Sequence, residues 1–104
     1  MIFWPCILKL EGDDELIYLG SERELIAECL ELILTDYDNV IDSKGISYLI
    51  DIKKEKPILM ETERVFTIEE VTQLIRANEF VKAELCLTKI YFSTISDAID
   101  SLHY

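Results

Sequence analysis

The sequence predicts an α+β fold: a mostly antiparallel sheet with two main helices and a short C-terminal helix packed on one face, in the order β-β-α-β-β-β-α-β-α. Three observations predict it. Short apolar segments alternate at period two between turn formers, the pattern of strands joined as hairpins. Two segments open on Ser or Thr with Glu three residues on, the spacing of a capping box, and continue with a helical apolar period. The helical segments come one at a time between the strands, which is an α+β arrangement.

Each element has its own reason. Phe3–Leu10 reads as a strand with Trp4, Cys6, Leu8 and Leu10 on one face, and Pro5 suits an edge or a first residue. Glu11-Gly12-Asp13-Asp14 is a turn, and Glu15–Leu19 returns as the second strand of a hairpin. Ser21 and Glu24 start the first helix, whose stripe is Leu25, Ile26, Cys29, Leu30, Leu32 and Ile33 and which fades near Thr35. Val40–Asp42 is a short strand, Ser43-Lys44-Gly45 a tight turn, and Ile46–Ile52 a strand with Ile46, Tyr48, Ile50 and Ile52 on one face. Lys53–Lys56 is a charged turn closed by Pro57, and Ile58–Glu63 is the next strand.

The second helix starts at Thr67 and Glu70, with Phe66 and Val71 placed as a hydrophobic staple. Ile68, Val71, Leu74 and Ile75 are its buried face; the period fails past Asn78, so the helix is expected to end near Ala77–Glu79. The pattern assigns Phe80–Glu84 to neither state. Leu85–Phe92 alternates as a last strand, and Thr94 with Asp97 caps a short helix packed by Ile95, Ala98, Ile99 and Leu102. Sheet positions such as Leu49, Leu59 and Tyr91 are then expected on the face away from the helices, where a second copy of the chain would cover them.

Length and composition bound the rest. A chain of 104 residues is one domain, 1–104, and 50% apolar content is ample for one core. The formal charge is −11, unevenly placed: residues 1–52 carry 12 acids and 3 bases, and residues 53–104 carry 9 acids and 7 bases. That sign opposes a phosphate backbone or an anionic lipid surface and favours a basic protein partner, although solubility alone also accounts for it. The opening apolar run has no basic leader and no cleavage site, and no stretch reaches the ~20 apolar residues of a membrane span. Cys6, Cys29 and Cys86 are too few and too far apart for a disulfide framework; with one histidine, His103, they make no zinc pattern. A cytoplasmic location with free thiols follows.

Four features bear on chemistry. Glu24, Glu28 and Glu31 stand at i, i+4 and i+7 with no basic residue four positions on; they read as a solvated helix face or, functionally, as a docking ridge for a basic partner. Asp36, Tyr37 and Asp38 follow; Tyr37 is a candidate anchor for that partner, although local loop packing is the favoured reading of it. Asp13, Asp14 and Glu15 crowd one turn and are weak candidates for holding a hard cation, though a hydrophilic turn explains them as well. The Asp36-x-Asp38 spacing fails as an EF-hand, because Val40, Ile41 and Ser47 occupy positions that need Asp or Asn, Gly and Glu. Nucleotide, dinucleotide and serine-hydrolase signatures are absent from the sequence, and Cys29 lies in an apolar stripe where a thiol is inert. No catalytic residue, metal or cofactor is assigned, and an enzyme is disfavoured.

The segments Trp4-Pro5-Cys6-Ile7-Leu8-Lys9, Gly12-Asp13-Asp14-Glu15-Leu16 and Ala83-Glu84-Leu85-Cys86-Leu87-Thr88-Lys89-Ile90 resemble a family of small bacterial proteins classed only as a domain of unknown function. The resemblance spans nearly the whole chain and implies a single-domain bacterial cytoplasmic protein, with no catalytic residue to carry over. The functional expectation is a small acidic interaction or regulatory module, monomeric or homodimeric. The alternatives are an enzyme or ligand-binding domain with carboxylates in a sheet–helix pocket, and a nucleic-acid mimic that inhibits a DNA-binding protein.

Overall fold

The computed structural model describes residues 2–12, 15–32, 34, 37–53, 56–82 and 92–102. Among these the elements are β1 (Cys6–Lys9), β2 (Leu16–Leu19), α1 (Glu22–Glu31), β3 (Asn39–Ile41), β4 (Ile46–Lys53), β5 (Lys56–Val65), α2 (Ile68–Lys82) and α3 (Ile95–Asp100). The fold is α+β, and the strands form one sheet in the order β2-β1-β3-β4-β5 with every neighbouring pair antiparallel. The element order follows the expected one. The strand expected over Leu85–Phe92 lies outside the described residues except for Phe92, a half-buried residue in irregular backbone.

Registers and period two sort the side chains onto two faces. Cys6 lies opposite Leu19 and Leu8 opposite Val40, and Val40 opposite Tyr48. These residues form one core cluster with Leu25 and Cys29 of α1. Ile7 lies opposite Ile41 and Lys9 opposite Leu16. Ile7, Leu16 and Ile41 pack with Val71 and Ile75 of α2 and with Ala98 and Ile99 of α3. The helices therefore divide between the faces, α1 on one and α2 with α3 on the other, which corrects the expected packing on one face. The reason lies in β1 to β3, which carry large apolar side chains at consecutive positions and so need cover on both sides. Leu49 and Leu59 fall on opposite faces, since Leu49 is level with Met60 and Leu59 with Ile50. They do not make the shared apolar face expected for a second copy.

Capping fixes the helix starts. Ser21 Oγ accepts the Glu24 N–H, Thr67 Oγ1 the Glu70 N–H, and Thr94 Oγ1 the Asp97 N–H. The ends differ from expectation. α1 stops at Glu31, where Leu32 turns to extended backbone; the last turn has no basic residue, and Glu28 and Glu31 face the negative end of the helix dipole. Leu30 is accordingly 65% exposed instead of lying in the stripe. α2 runs on to Lys82. Asn78 ends the apolar period yet sits on the buried face, at i+7 from Val71, because its Oδ1 accepts the Leu16 N–H at 3.0 Å.

The turn after β3 is held by one buried side chain. The Asp42 side chain is wholly buried. Its Oδ1 accepts the N–H groups of Lys44 (2.9 Å) and Ile46 (3.0 Å), while its Oδ2 accepts the Phe3 N–H (3.3 Å) and the Tyr48 hydroxyl (3.0 Å). Gly45 closes the turn at φ +85°, a left-handed conformation that a side chain resists, and a Cβ there would stand 2.2 Å from the Phe66 carbonyl oxygen. Replacing Asp42 by Ala leaves four donors without their acceptor, three of them backbone N–H groups. Unsatisfied buried donors cost about 1–3 kcal/mol each, so a loss of at least ~3 kcal/mol is expected. Urea unfolding of Asp42→Ala checks this, with Asp42→Asn expected between it and the native chain.

Candidate functional site

Where β4 and β5 extend beyond α2, the sheet face carries polar side chains in place of apolar ones. Asn39 of β3 donates from Nδ2 to Ser47 Oγ at 3.0 Å, and Thr62 Oγ1 of β5 donates to the Ser47 carbonyl at 3.1 Å. With Leu49 these residues floor a groove of about 470 Å³. Its walls include Phe66 and Leu74 on the α2 side, Glu11 of the β1–β2 turn, and Tyr37, which is 73% exposed.

A β-bulge shapes the groove. Tyr48 is level with Glu61 but Ile46 with Val65, so β5 holds two extra residues there. Bulges re-aim side chains, and the Thr62 hydroxyl steadies this one by accepting the Arg64 N–H at 3.1 Å. Arg64 is thereby brought to the groove, with its guanidinium 4.0 Å from the Phe66 ring centroid and its Nη2 3.2 Å from Glu70 Oε2. Lys9, the other basic residue of the lining, donates from Nζ to the Leu10 carbonyl at 3.0 Å. Glu70 Oε1 accepts the Thr67 N–H at 3.0 Å; that bond first, then Arg64, holds its carboxyl below the ordinary value of 4.5.

The structure scatters the residues singled out from the sequence. Glu24 is exposed and takes part in its own helix cap, accepting the Gly20 N–H at Oε2. Glu28 is half-buried beside the α1 core face and Glu31 is exposed, so the three glutamates are not one uniform solvated ridge. Asp38 is 3% exposed and accepts the Glu11 N–H at 2.7 Å, a structural tie and not a surface anchor. Tyr37 is the residue of that set which reaches the groove. Asp36, Asp13 and Asp14 lie outside the described residues, and Glu15 is exposed. Among the described residues no group of three or more His, Cys, Asp or Glu is placed to hold a metal ion.

Sequence reasoning missed the groove itself. The distance along the chain from Lys9 to Arg64 hides their convergence, and the one local signal was Ser47 set between the apolar Ile46 and Tyr48. Among the described residues no helix is long and apolar enough to cross a membrane.

The family model DUF4144, described as a protein structure with unknown function, matches residues 4–102. The chain belongs to this family. An NMR structure of a protein from Shewanella amazonensis shares the fold, with a TM-score of 0.73, 24% identity, and cover of 98% of this chain and 88% of that one. No curated protein matches the chain. The DUF4144 family thus brings a fold and no chemistry, and the site has to be read from its own residues.

Two outcomes are expected. Burial and the nearby Asp42 raise the Cys6 thiol well above its ordinary 9.0, and burial and Glu28 raise that of Cys29. In a Cys86→Ser variant, iodoacetamide at pH 8 should leave both thiols unlabelled until urea unfolds the chain; labelling of the folded protein would contradict this burial. Because the Glu70 value is lowered on folding, its contribution is present above the ordinary 4.5 and is lost as pH falls through the folded value. The stability difference between the native chain and Glu70→Gln should therefore be full at neutral pH and shrink in acid, as read from urea midpoints at several pH values.

Proposed function

We propose that the protein is a bacterial cytoplasmic interaction module whose groove receives an extended segment of a partner protein. One observation carries the reading: the sheet face beside α2 is built with hydrogen-bonding side chains on its floor and with Tyr37 and Arg64 at its edges. Tyr and Arg are enriched among the residues that dominate binding energy. Leu49, Phe66 and Leu74 offer an apolar seat beside them. The location is supported by Cys6 and Cys29, both buried and outside any disulfide, as in a reducing compartment.

The alternatives weigh less. An enzyme working through carboxylates needs them in the pocket, and among the described residues Glu11 is the one acid of the lining. A nucleic-acid mimic needs its acids in rows at the surface, whereas Asp38 and Asp42 are spent on internal hydrogen bonds. The net charge continues to argue against nucleic acid and anionic membranes as ligands.

The test is a comparison of variants. Tyr37→Ala and Arg64→Ala are each expected to weaken a partner captured from the native host by about tenfold, the size of an interface hot spot. Glu31→Gln, away from the groove, should leave that partner's affinity unchanged. A partner set that is indifferent to both groove variants overturns the proposal.

A further inference from the structure

The opposite face of the sheet holds a second and smaller concavity. It is a notch of about 220 Å³ lined by Ile2, Trp4, Leu25, Pro57, Leu59 and Glu22. A space below the ~300–1,000 Å³ of small-molecule pockets suits one side chain. Its chemistry is specific: among the described residues it is an apolar cleft with an indole in one wall and one carboxylate, that of the exposed Glu22, in its lining.

The walls are fixed. The N-terminal arm carrying Ile2 and Trp4 is tied down at Phe3, whose N–H donates to Asp42 and whose carbonyl accepts the Ser43 N–H at 3.0 Å. The Ser43 hydroxyl also donates to the Pro5 carbonyl at 2.6 Å. Leu25 belongs to the core on this side, and Leu59 packs against it.

We infer that the notch receives one lysine or arginine side chain of a basic partner segment. Such a side chain has an apolar stem and a charged head. The stem fits Leu25, Leu59 and Pro57, and the head fits the Glu22 carboxylate together with the face of Trp4, the aromatic ring that best attracts a cation. Charge favours the same occupant. α1 carries Glu22, Glu24, Glu28 and Glu31 against Arg23 alone. The positive end of the helix dipole amounts to about half a charge, which the first-turn carboxylates Glu22 and Glu24 outweigh. The notch and the groove lie on opposite faces of the sheet, so this site stands whether or not the groove binds a partner.

Trp4 is the one tryptophan of the chain, so its fluorescence reports on the notch directly. The experiment titrates the full chain with a blocked six-residue peptide containing three arginines, beside a citrulline-matched peptide and a glutamate-matched one. The arginine peptide should change Trp4 emission saturably, and the two control peptides should not. Glu22→Gln should weaken binding by about fivefold, as for a partly exposed ion pair, and 0.5 M salt should weaken it as well. Glu22 is exposed at the helix surface, so the variant keeps the fold; circular dichroism confirms this. Tyr37→Ala should leave the titration unchanged, which separates the notch from the groove. No saturable change with the arginine peptide, an equal response to citrulline, or indifference to Glu22→Gln overturns the inference. So does a Trp4 emission that depends on the concentration of the protein alone, which would assign the notch to a second copy of the chain.

Discussion

A single carboxylate organises this fold. Asp42 is buried without a cationic partner among the described residues, and its charge is stabilised by three backbone N–H groups and one phenol. Removing a carboxylate from water costs several kcal/mol after relaxation, and hydrogen bonds to a charged acceptor return about 1.5–3 kcal/mol each. Four such bonds together offset the cost. The same four bonds join three separate pieces of chain: the N-terminal arm at Phe3, the turn at Lys44 and β4 at Ile46 and Tyr48. The Tyr48 hydroxyl is held above its ordinary 10.0 by burial first and by the bond to Asp42 next. It stays protonated and remains a donor.

From this turn the order spreads to both faces of the sheet. Gly45 accepts the Phe66 N–H at 2.7 Å and presses so close to the Phe66 carbonyl that only glycine fits. Phe66 leads into α2, packs in its core cluster, and carries the stacked Arg64. On the other side, the arm fastened at Phe3 brings Trp4 to the notch beside α1. Groove and notch are thus fixed by one turn, though they open in opposite directions. The core beneath them is conventional: helices cover β1 to β3 on both faces. The far part of the β4–β5 hairpin is left uncovered, with Ile52 45% and Met60 46% exposed.

What could be read from the sequence was local. The caps at Ser21, Thr67 and Thr94 depend on residues three apart, and all three hold in the structure. Strand alternation survives for the same reason, since it needs only neighbours. What could not be read depends on distant partners. Asn78 ends the apolar period of α2 in the sequence, but its bond to Leu16, 62 residues away, keeps it on the buried face and carries the helix onward. The two-sided packing of the helices turns on whether consecutive apolar residues in β1 are all buried, and alternation by itself favours one face. The site residues divide in the same way. Tyr37 could be read either as packed in its loop, the favoured reading, or as an exposed anchor, and the structure leaves it 73% exposed. Asp38 was not legible as an interior residue, because its acceptor role appears only when the β1–β2 turn folds over it. The groove was illegible because a bulge two residues deep in β5 leaves no compositional mark.

The acidity of the chain takes on a different meaning once its acids are placed. Over residues 1–52 the charge balance looks like a single negative field. The structure divides it into carboxylates that hold the fold and carboxylates that face water. Asp38 and Asp42 are internal acceptors for backbone N–H groups, and Glu24 serves the start of its own helix. Backbone amides are neutral, so they stabilise these anions without cancelling them. The excess therefore persists as a long-range field even where the carboxylates themselves are out of reach. Two exposed ion pairs, Lys53 with Asp51 and Arg64 with Glu70, add little to stability, since such pairs are worth about 0–1 kcal/mol. Among the described residues, charge is thus poorly explained as salt-bridge stabilisation. On the proposed reading, a field that the fold tolerates rather than neutralises would act chiefly on what approaches, speeding a basic partner and turning away phosphate. Shape and hydrogen bonding at the proposed groove and notch would then supply the selectivity that a field alone does not give.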